Sequence, residues 1–549
     1  MAKARLDPLD IGIWWNRLLS IADEGTVTLK RTAFSRNVTE ADDFSNAIFD
    51  TRGVMIAQPS QGEVAFLGVM STEVKAFLER FPARTLRPGD VIISNDPWLG
   101  ASQLNDYTMM TPVFVGRRLA AIVACCAHSP DVGGRVLSSD STDVHEEGFI
   151  IPPSFLYRAG KPNPDLFAFI RANVRVPDIV VGDLMAMVTS NGVVARRLRE
   201  FLKETGLRNV DALGAEIVAR SERAMRAAIA KLPRGTFRGE VEADGDDEPI
   251  RIKVALTCDG KRIHADLTGT SAQTARGVNV TMNWTYSDVV HAILCALRPE
   301  SPINAGSMAP ITVFAPKGSV LNAQYPAAVG ARVLAAHHLY YAVFRALAHL
   351  LPGQVLADSA APTWVPVLSG TSQNGDRFVE ILIVHGGVGA RASKDGLFVA
   401  FPDHPPSTHV EIFENEKPIV VEAKEFLPDS AGAGRFRGGP GLHFRFRVTG
   451  DKPVRIAMRA DRVRVAPQGF AGGHAGSVGK ATLNDRDAIH PKRTIFLQPG
   501  DVVDFKTPGG GGFHDPSGRD PAAVALDLEN EMLTPEAARR IYGRNAAVR

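Results

Sequence analysis

Eight apolar residues, Ala120 to Ala127, run without a polar break into His128-Ser129-Pro130-Asp131. A short, bounded apolar run of this kind reads as a strand buried in the core. A second run, Val91-Ile92-Ile93, leads into Asn95-Asp96-Pro97-Trp98-Leu99-Gly100, where Asn, Asp, Pro and Gly fall together and the chain should reverse. Two buried strands thus end in acidic, amide and imidazole groups, which is how a rigid scaffold presents a site on its loops. Asp106 and His128 are the pair expected to touch a metal or a substrate.

The rest of the chain must cover these strands. Ile11, Trp14, Trp15, Leu18 and Leu19 recur at helical spacing within 8–30, and 68–81 also reads as helix. Asp42 to Asp50 reads as a strand running into a turn at Thr51-Arg52-Gly53, and Ser139 to Gly148 as a polar, acidic loop. From 165 to 232 the pattern is helical, with starts at Pro177-Asp178 and Asn209-Val210-Asp211. The Leu232-Pro233-Arg234-Gly235 turn is the expected domain boundary, since 549 residues exceed one simple core. Beyond it, 236–330 reads as strands and turns: Ile250 to Leu256 alternates with period two, and Asp259-Gly260 signals a hairpin. An apolar helix follows at 331–351. Residues 360–515 read as strands broken by glycine clusters, and 521–543 as helix. The expected class is α+β, with an N-terminal mixed α/β part (1–235) carrying the site. A strand-rich part (236–549) with glycine-rich loops and a terminal helix completes it.

Several functions lose support. With 62 basic and 60 acidic residues, the net charge of +2 gives no argument for nucleic acid or an anionic membrane. The N-terminus lacks the apolar core of a signal peptide, and no run approaches the ~20 apolar residues of a membrane helix, so a cytoplasmic protein is expected. Cys125, Cys126, Cys258 and Cys295 lack CxxC spacing and read as buried reduced thiols. No glycine cluster has P-loop or dinucleotide-fingerprint spacing. Thr507-Pro508-Gly509-Gly510-Gly511-Gly512 is a loop, read as a tight crossing or subunit contact, with an anion cradle as the alternative. No GxSxG elbow accompanies the serines.

Asp106 and His128 are donors suited to Mn²⁺, Zn²⁺ or Fe²⁺. Gln103, three residues before Asp106, offers a weaker amide oxygen, and Asp43 a further carboxylate. The alternative is a turn held by Asx hydrogen bonds with one satisfied histidine. His404 and His409 bracket Pro405-Pro406 near Glu411 and Glu414, an extended segment of surface or interface histidines rather than a zinc helix.

With these residues in view, the chain resembles the hydantoinase B (HyuB), or oxoprolinase, family along nearly its whole length. The likeness runs through Arg31 to Ser35, Asp43-Phe44-Ser45, Pro88-Gly89-Asp90 to Asn95-Asp96-Pro97, Asp131 to Gly134 and Glu147-Gly148. It continues through Asp266 to Ser271, Pro316 to Ser319, Gly386 to Ala390, Asp429 to Gly439 and Thr507 to Gly512. The resemblance implies the second subunit of an ATP-dependent cyclic-amide hydrolase acting on a hydantoin, oxoproline or lactam. The alternatives are a subunit of an acetone- or acetophenone-type carboxylase, or a non-catalytic scaffold. It implies a hydantoinase A-like partner that binds ATP and phosphorylates the substrate, and a divalent metal, Zn or Mn. In metal-bearing members the segment of Gln103 to Asp106 carries His-x-x-Asp, and a second His comes from the segment of His128. Here the first His is Gln103. Where the family commonly has Pro-Val-His-Leu-Gly, this chain has Val64-Ala65-Phe66-Leu67-Gly68, whose ring implies a drier, more apolar pocket.

Overall fold

The computed structural model describes residues 7–246, 248–398, 400 and 409–543. Its first sheet contains β1 (Phe44–Phe49), β2 (Met55–Ala57), β3 (Val91–Ser94), β4 (Asp106–Val115), β5 (Arg118–His128), β6 (Ser154–Arg158) and β7 (Lys161–Pro162). The order is β2-β1-β5-β4-β3-β6-β7, antiparallel throughout. β4 and β5 form the central hairpin, which sets Asp106 directly opposite His128 at its open end. Side chains on β5 alternate between faces: Ile122, Ala124 and Cys126 enter one core cluster, Ala121 and Val123 another. Both faces are covered, which is why the run lacks polar breaks.

The N-terminal helices are α1 (Pro8–Thr32), α2 (Arg36–Thr39), α3 (Ala65–Arg80), α4 (Pro164–Asn173), α5 (Pro177–Thr205) and α6 (Asp211–Ile229). α1, α5 and α6 bury Ile11, Leu18, Leu198 and Ile217 with Ala121 and Val123 of the sheet. α3 buries Phe66, Val69 and Met70 with Ile122 and Ala124 on the other face. α5 is one helix long and apolar enough to cross a membrane by length and composition, contrary to the expectation that no run would be. Its apolar side is taken up by packing: Val180, Leu184, Val194 and Leu198 are buried.

A second sheet holds β8 (Gly235–Ala243), β9 (Ile250–Cys258), β10 (Ile263–Asp266) and β11 (Ile311–Phe314), ordered β11-β10-β9-β8. Gly260 takes φ 84° in the β9–β10 turn, a left-handed conformation that favours glycine. Against it lie α7 (Met282–Leu297), the short α8 (Ala305–Met308) and α9 (Val333–Leu347). The reading of 236–330 as strands and turns therefore fails at α7 and α8. α7 is buried nearly all round, so no polar stripe marks a 3.6-residue period, and Trp284, Thr285, Val289, Val290 and Ile293 imitate strand composition. The largest apolar cluster unites α3, α7, α9 and the second sheet, so the core runs on across the Leu232–Gly235 turn.

Two further sheets pack face to face. One is β13-β12-β16-β19, from β12 (Val367–Thr371), β13 (Arg377–Ile381), β16 (Val454–Ala457) and β19 (Thr494–Leu497). The other is β14-β15-β20-β17-β18, from β14 (Ile419–Leu427), β15 (Gly441–Val448), β17 (Lys480–Leu483), β18 (Asp487–Ala488) and β20 (Val502–Lys506). Trp364, Phe446, Ile456, Leu497 and Phe505 fill the space between them. α11 (Pro521–Glu529) and α12 (Pro535–Tyr542) form the helical tail. His409 is exposed just before α10 (Val410–Glu416), which carries Glu411 and Glu414; His404 lies outside the described residues.

The glycine clusters meet one another. Gly510 N–H donates to Gly439 O at 2.9 Å, Gly511 N–H to Asp358 O at 2.8 Å and Gly512 N–H to His474 O at 2.9 Å. Gly509 N–H donates to Ser477 Oγ at 3.3 Å. A Cβ on Gly438 would stand 1.9 Å from Gly510 O, and one on Gly510 2.3 Å from Val388 O. These N–H groups are spent within the chain, so the tight-crossing reading holds and the anion cradle does not. Cys125, Cys126 and Cys258 are buried as expected, but Cys295 is exposed, because it lies on the outward side of α7.

Candidate active site

The open end of the β4–β5 hairpin is built by its neighbours. His128 N–H donates to Asp43 O at 3.0 Å and Ser129 N–H to Asn105 O at 2.7 Å, which fixes the end of β5 against two loops. The Asn95 side chain donates to Leu104 O at 2.8 Å and accepts from Ile151 N–H at 2.6 Å, so it braces the loop that carries Gln103. That loop docks on α7: Thr281 N–H donates to Ser102 Oγ at 2.8 Å and Asn283 Nδ2 to Trp98 O at 2.8 Å.

Three of the four nominated side chains meet closely at one ring nitrogen. His128 Nδ1 lies 2.6 Å from Asp106 Oδ1 and 3.0 Å from the Gln103 side-chain amide, with Asp43 Oδ2 at 3.8 Å. The Asp106 contact assigns the proton to Nδ1, leaving Nε2 the basic nitrogen. Nε2 is buried and has no hydrogen-bond partner among the described residues. The other oxygen of Asp106 accepts from Arg332, Nη2 to Oδ2 at 3.1 Å. The Arg332 guanidinium also lies 3.6 Å above the Trp284 ring, a cation–π contact. Arg332 is presented by the turn before α9, and buried Glu147 holds that turn through Val329 N–H and Gly330 N–H at 2.9 and 2.7 Å. Burial pushes the Glu147 carboxyl up to about 8.

These residues border a cavity of about 100 Å³, well below the ~300 Å³ at which sites for larger ligands begin. His128, Gln103, Asp43, Arg332 and Arg459 line one part of it, and Trp284, Val333, Val365, Ile381 and Ile383 form an apolar wall. Burial and the charge of Arg332 bring the Arg459 guanidinium down to about 9. Phe66 is absent from the lining; it lies behind, edge-on to Trp284 with ring centroids 5.8 Å apart. The indole, not Phe66, faces the cavity, which corrects the reading of Phe66 as a pocket residue.

A divalent ion does not fit this arrangement. Two ligands of one metal, each at about 2.1 Å and at right angles or wider, stand about 3 Å apart or more. The 2.6 Å between His128 and Asp106 is a hydrogen bond, and Arg332 puts a fixed positive charge on the second oxygen. Among the described residues no group of three or more His, Cys, Asp or Glu is placed to hold a metal ion.

Sequence reasoning missed Arg332, Arg459 and Trp284. Arg332 had a signal, a lone charge at the head of an apolar helix. The other two had none: Arg459 comes from a strand end far along the chain, and Trp284 from the misread α7.

The hydantoinase B/oxoprolinase family model matches residues 7–516, and the chain belongs to that family. It is 30% identical to a putative B-type D-/L-hydantoinase subunit of Pseudomonas sp., over 98% of this chain and 95% of that protein. The crystal structure of the ATP-dependent caprolactamase from Pseudomonas jessenii superposes with a TM-score of 0.91 at 27% identity, covering 98% and 96% of the two chains. Nucleotide-free acetone carboxylase shares the fold, with a TM-score of 0.89 at 19% identity over 98% and 79%.

Proposed function

We propose that this chain is the B-type subunit of an ATP-dependent cyclic-amide hydrolase and that the cavity beside His128 is where ring opening is completed. One observation carries the reading: His128 lines the cavity, its Nδ1 is held by buried Asp106, and its Nε2 is unpaired among the described residues. That is the arrangement of an oriented general base. Membership of the family and the likeness to caprolactamase support the substrate class.

Activation of the amide carbonyl by phosphorylation falls to a hydantoinase A-like partner that binds ATP. In this chain, His128 Nε2 takes a proton from the attacking water, and Asp106 stabilises the imidazolium that results. Arg332 holds Asp106 in place and adds positive charge near the developing oxyanion. Trp284, Val365, Ile381 and Ile383 exclude other water. In this reading Gln103 packs beside the ring rather than ligating a metal, and the orienting hydrogen bond is the one to Asp106. The hydrolase is favoured over the ketone carboxylase because the likeness to acetone carboxylase, at 19% identity, extends to the fold alone.

The test is a complex reconstituted with the A-type partner, ATP and hydantoin, 5-oxoproline or caprolactam. His128→Gln should lower ring opening by roughly 10²- to 10⁴-fold, the usual worth of a general base, while ATP hydrolysis persists. Unchanged turnover would turn the assignment toward a scaffold subunit.

A further inference from the structure

The cavity holds one buried cation that the mechanism above does not use. Arg459 follows β16, is 3% exposed and lines the cavity. Its backbone carbonyl accepts from Val365 N–H at 3.1 Å, but its side chain makes no hydrogen bond or ion pair among the described residues, and its Nε is buried and unpartnered. A guanidinium left so is costly unless something else completes it.

The acids on the cavity wall have other partners; the charges of Asp43 and Asp106 act on Arg459 without an ion pair to it among the described residues. Asp42 pairs with Lys30 at 2.6 Å, Asp43 approaches His128, and Glu63 accepts from Ala65 N–H at 2.9 Å. Arg332 is committed to Asp106 through one nitrogen, and its Nε is unpartnered as well. Two guanidiniums with unspent donors therefore border a small space that has polar groups such as Gln103, His128 and Thr363 on one part and the apolar wall of Trp284 and its neighbours on the other.

We propose that Arg459, assisted by Arg332, forms a subsite for an oxyanion, a carboxylate or phosphoryl group carried on a small apolar body. The planar fork of a guanidinium matches such a group in shape and charge. The proposal rests on the cyclic-amide reading for taking the anion as part of the substrate. It then narrows that substrate to a ring carrying a carboxylate, or to an amide already phosphorylated. The apolar wall takes the ring, and the anion sets which edge of it reaches His128.

The full-length chain, without ATP or partner, is titrated calorimetrically with cyclopentanecarboxylate, its uncharged isostere cyclopentanecarboxamide, and inorganic phosphate. Because no turnover is involved, failure here leaves the hydrolase assignment standing. The carboxylate should bind at least roughly tenfold more tightly than the amide, as one charge-assisted hydrogen bond requires. Arg459→Met should erase that preference and Arg459→Lys should keep part of it. Tighter binding of phosphate, with the same dependence on Arg459, supports the subsite and assigns it to a phosphoryl group. Equal binding of carboxylate and amide overturns it, as does failure of both anions to bind at millimolar concentration. Carboxylate binding unchanged in Arg459→Met also overturns it. If Arg459→Met does not fold, the wild-type comparison of carboxylate with amide decides.

Discussion

Glu73 lies on α3 beneath the site loop, fully buried, with its carboxyl facing Gly100. Burial pushes it up to about 8 from an ordinary 4.5; the Thr108 hydroxyl offsets part of this, and the charges of Asp96 and Asp106 add to it. A carboxyl raised on folding keeps its proton in the native state while the unfolded chain has released its own. Its contribution is therefore fully present below about 4.5 and is lost as the pH rises through about 8. Within that window stability falls by about 1.4 kcal/mol per pH unit. The whole loss is about 5 kcal/mol, a ceiling, since the buried site can relax or admit water. Glu73→Gln keeps the shape and removes the proton equilibrium. The check is thermal unfolding of wild type and Glu73→Gln from pH 5 to pH 9. The Tm difference should grow steadily in favour of Glu73→Gln as pH rises and be smallest at pH 5. A difference that stays constant with pH, or a wild type that gains on Glu73→Gln toward pH 9, refutes the reasoning.

Purified wild-type chain should carry far less than one Zn or Mn per molecule by elemental analysis. Replacing the amide by imidazole and removing the competing charge, Gln103→His with Arg332→Ala, should raise that toward one; stoichiometric metal in the wild type would contradict the geometry. Gly510→Ala should leave the chain insoluble or lower its Tm sharply in a thermal melt, because its Cβ would meet the Val388 carbonyl at 2.3 Å and backbone cannot give way cheaply.

β3 and β5 were legible because each is a short apolar run next to turn residues, so local pattern and tertiary role agree. β4, which pairs between them, carries Thr108 and Thr111 and is not read as a strand from the sequence. Asp106 and His128 were legible as polar groups beside those runs, but the register that sets them opposite each other comes from β4, which starts at Asp106 rather than after it. Two losses have physical causes. α7 is buried nearly all round, its polar residues Thr285, Ser287 and Asp288 included, and periodicity cannot tell a buried helix from a strand when no solvent-facing polar stripe marks it. The guanidiniums reach the cavity from the turn before α9 and the end of β16, 226 residues and more beyond Asp106. Nothing in the sequence around them records which cavity they will face. The resemblance to metal-bearing relatives drew attention to what stood in place of the first histidine. It offered no view of Arg332, which makes that replacement intelligible.

The substitution has a chemical consequence. A divalent ion does two things at once: it supplies positive charge, and it makes its bound water acidic. A guanidinium does only the first, having donors but no open coordination position. In the hydrolase proposed above, Arg332 on Asp106 would supply the charge, and another group would have to activate the water. His128 is the group proposed for that step, since Asp106 holds Nδ1 and Nε2 has no partner among the described residues. Asp106 is in turn shared, one oxygen to the imidazole at 2.6 Å and the other to Arg332 at 3.1 Å. The guanidinium and the imidazole therefore share one carboxylate. On that proposal Gln103, whose side-chain amide lies 3.0 Å from the imidazole, need not be a ligand at all. It belongs to a site whose charge comes from a side chain.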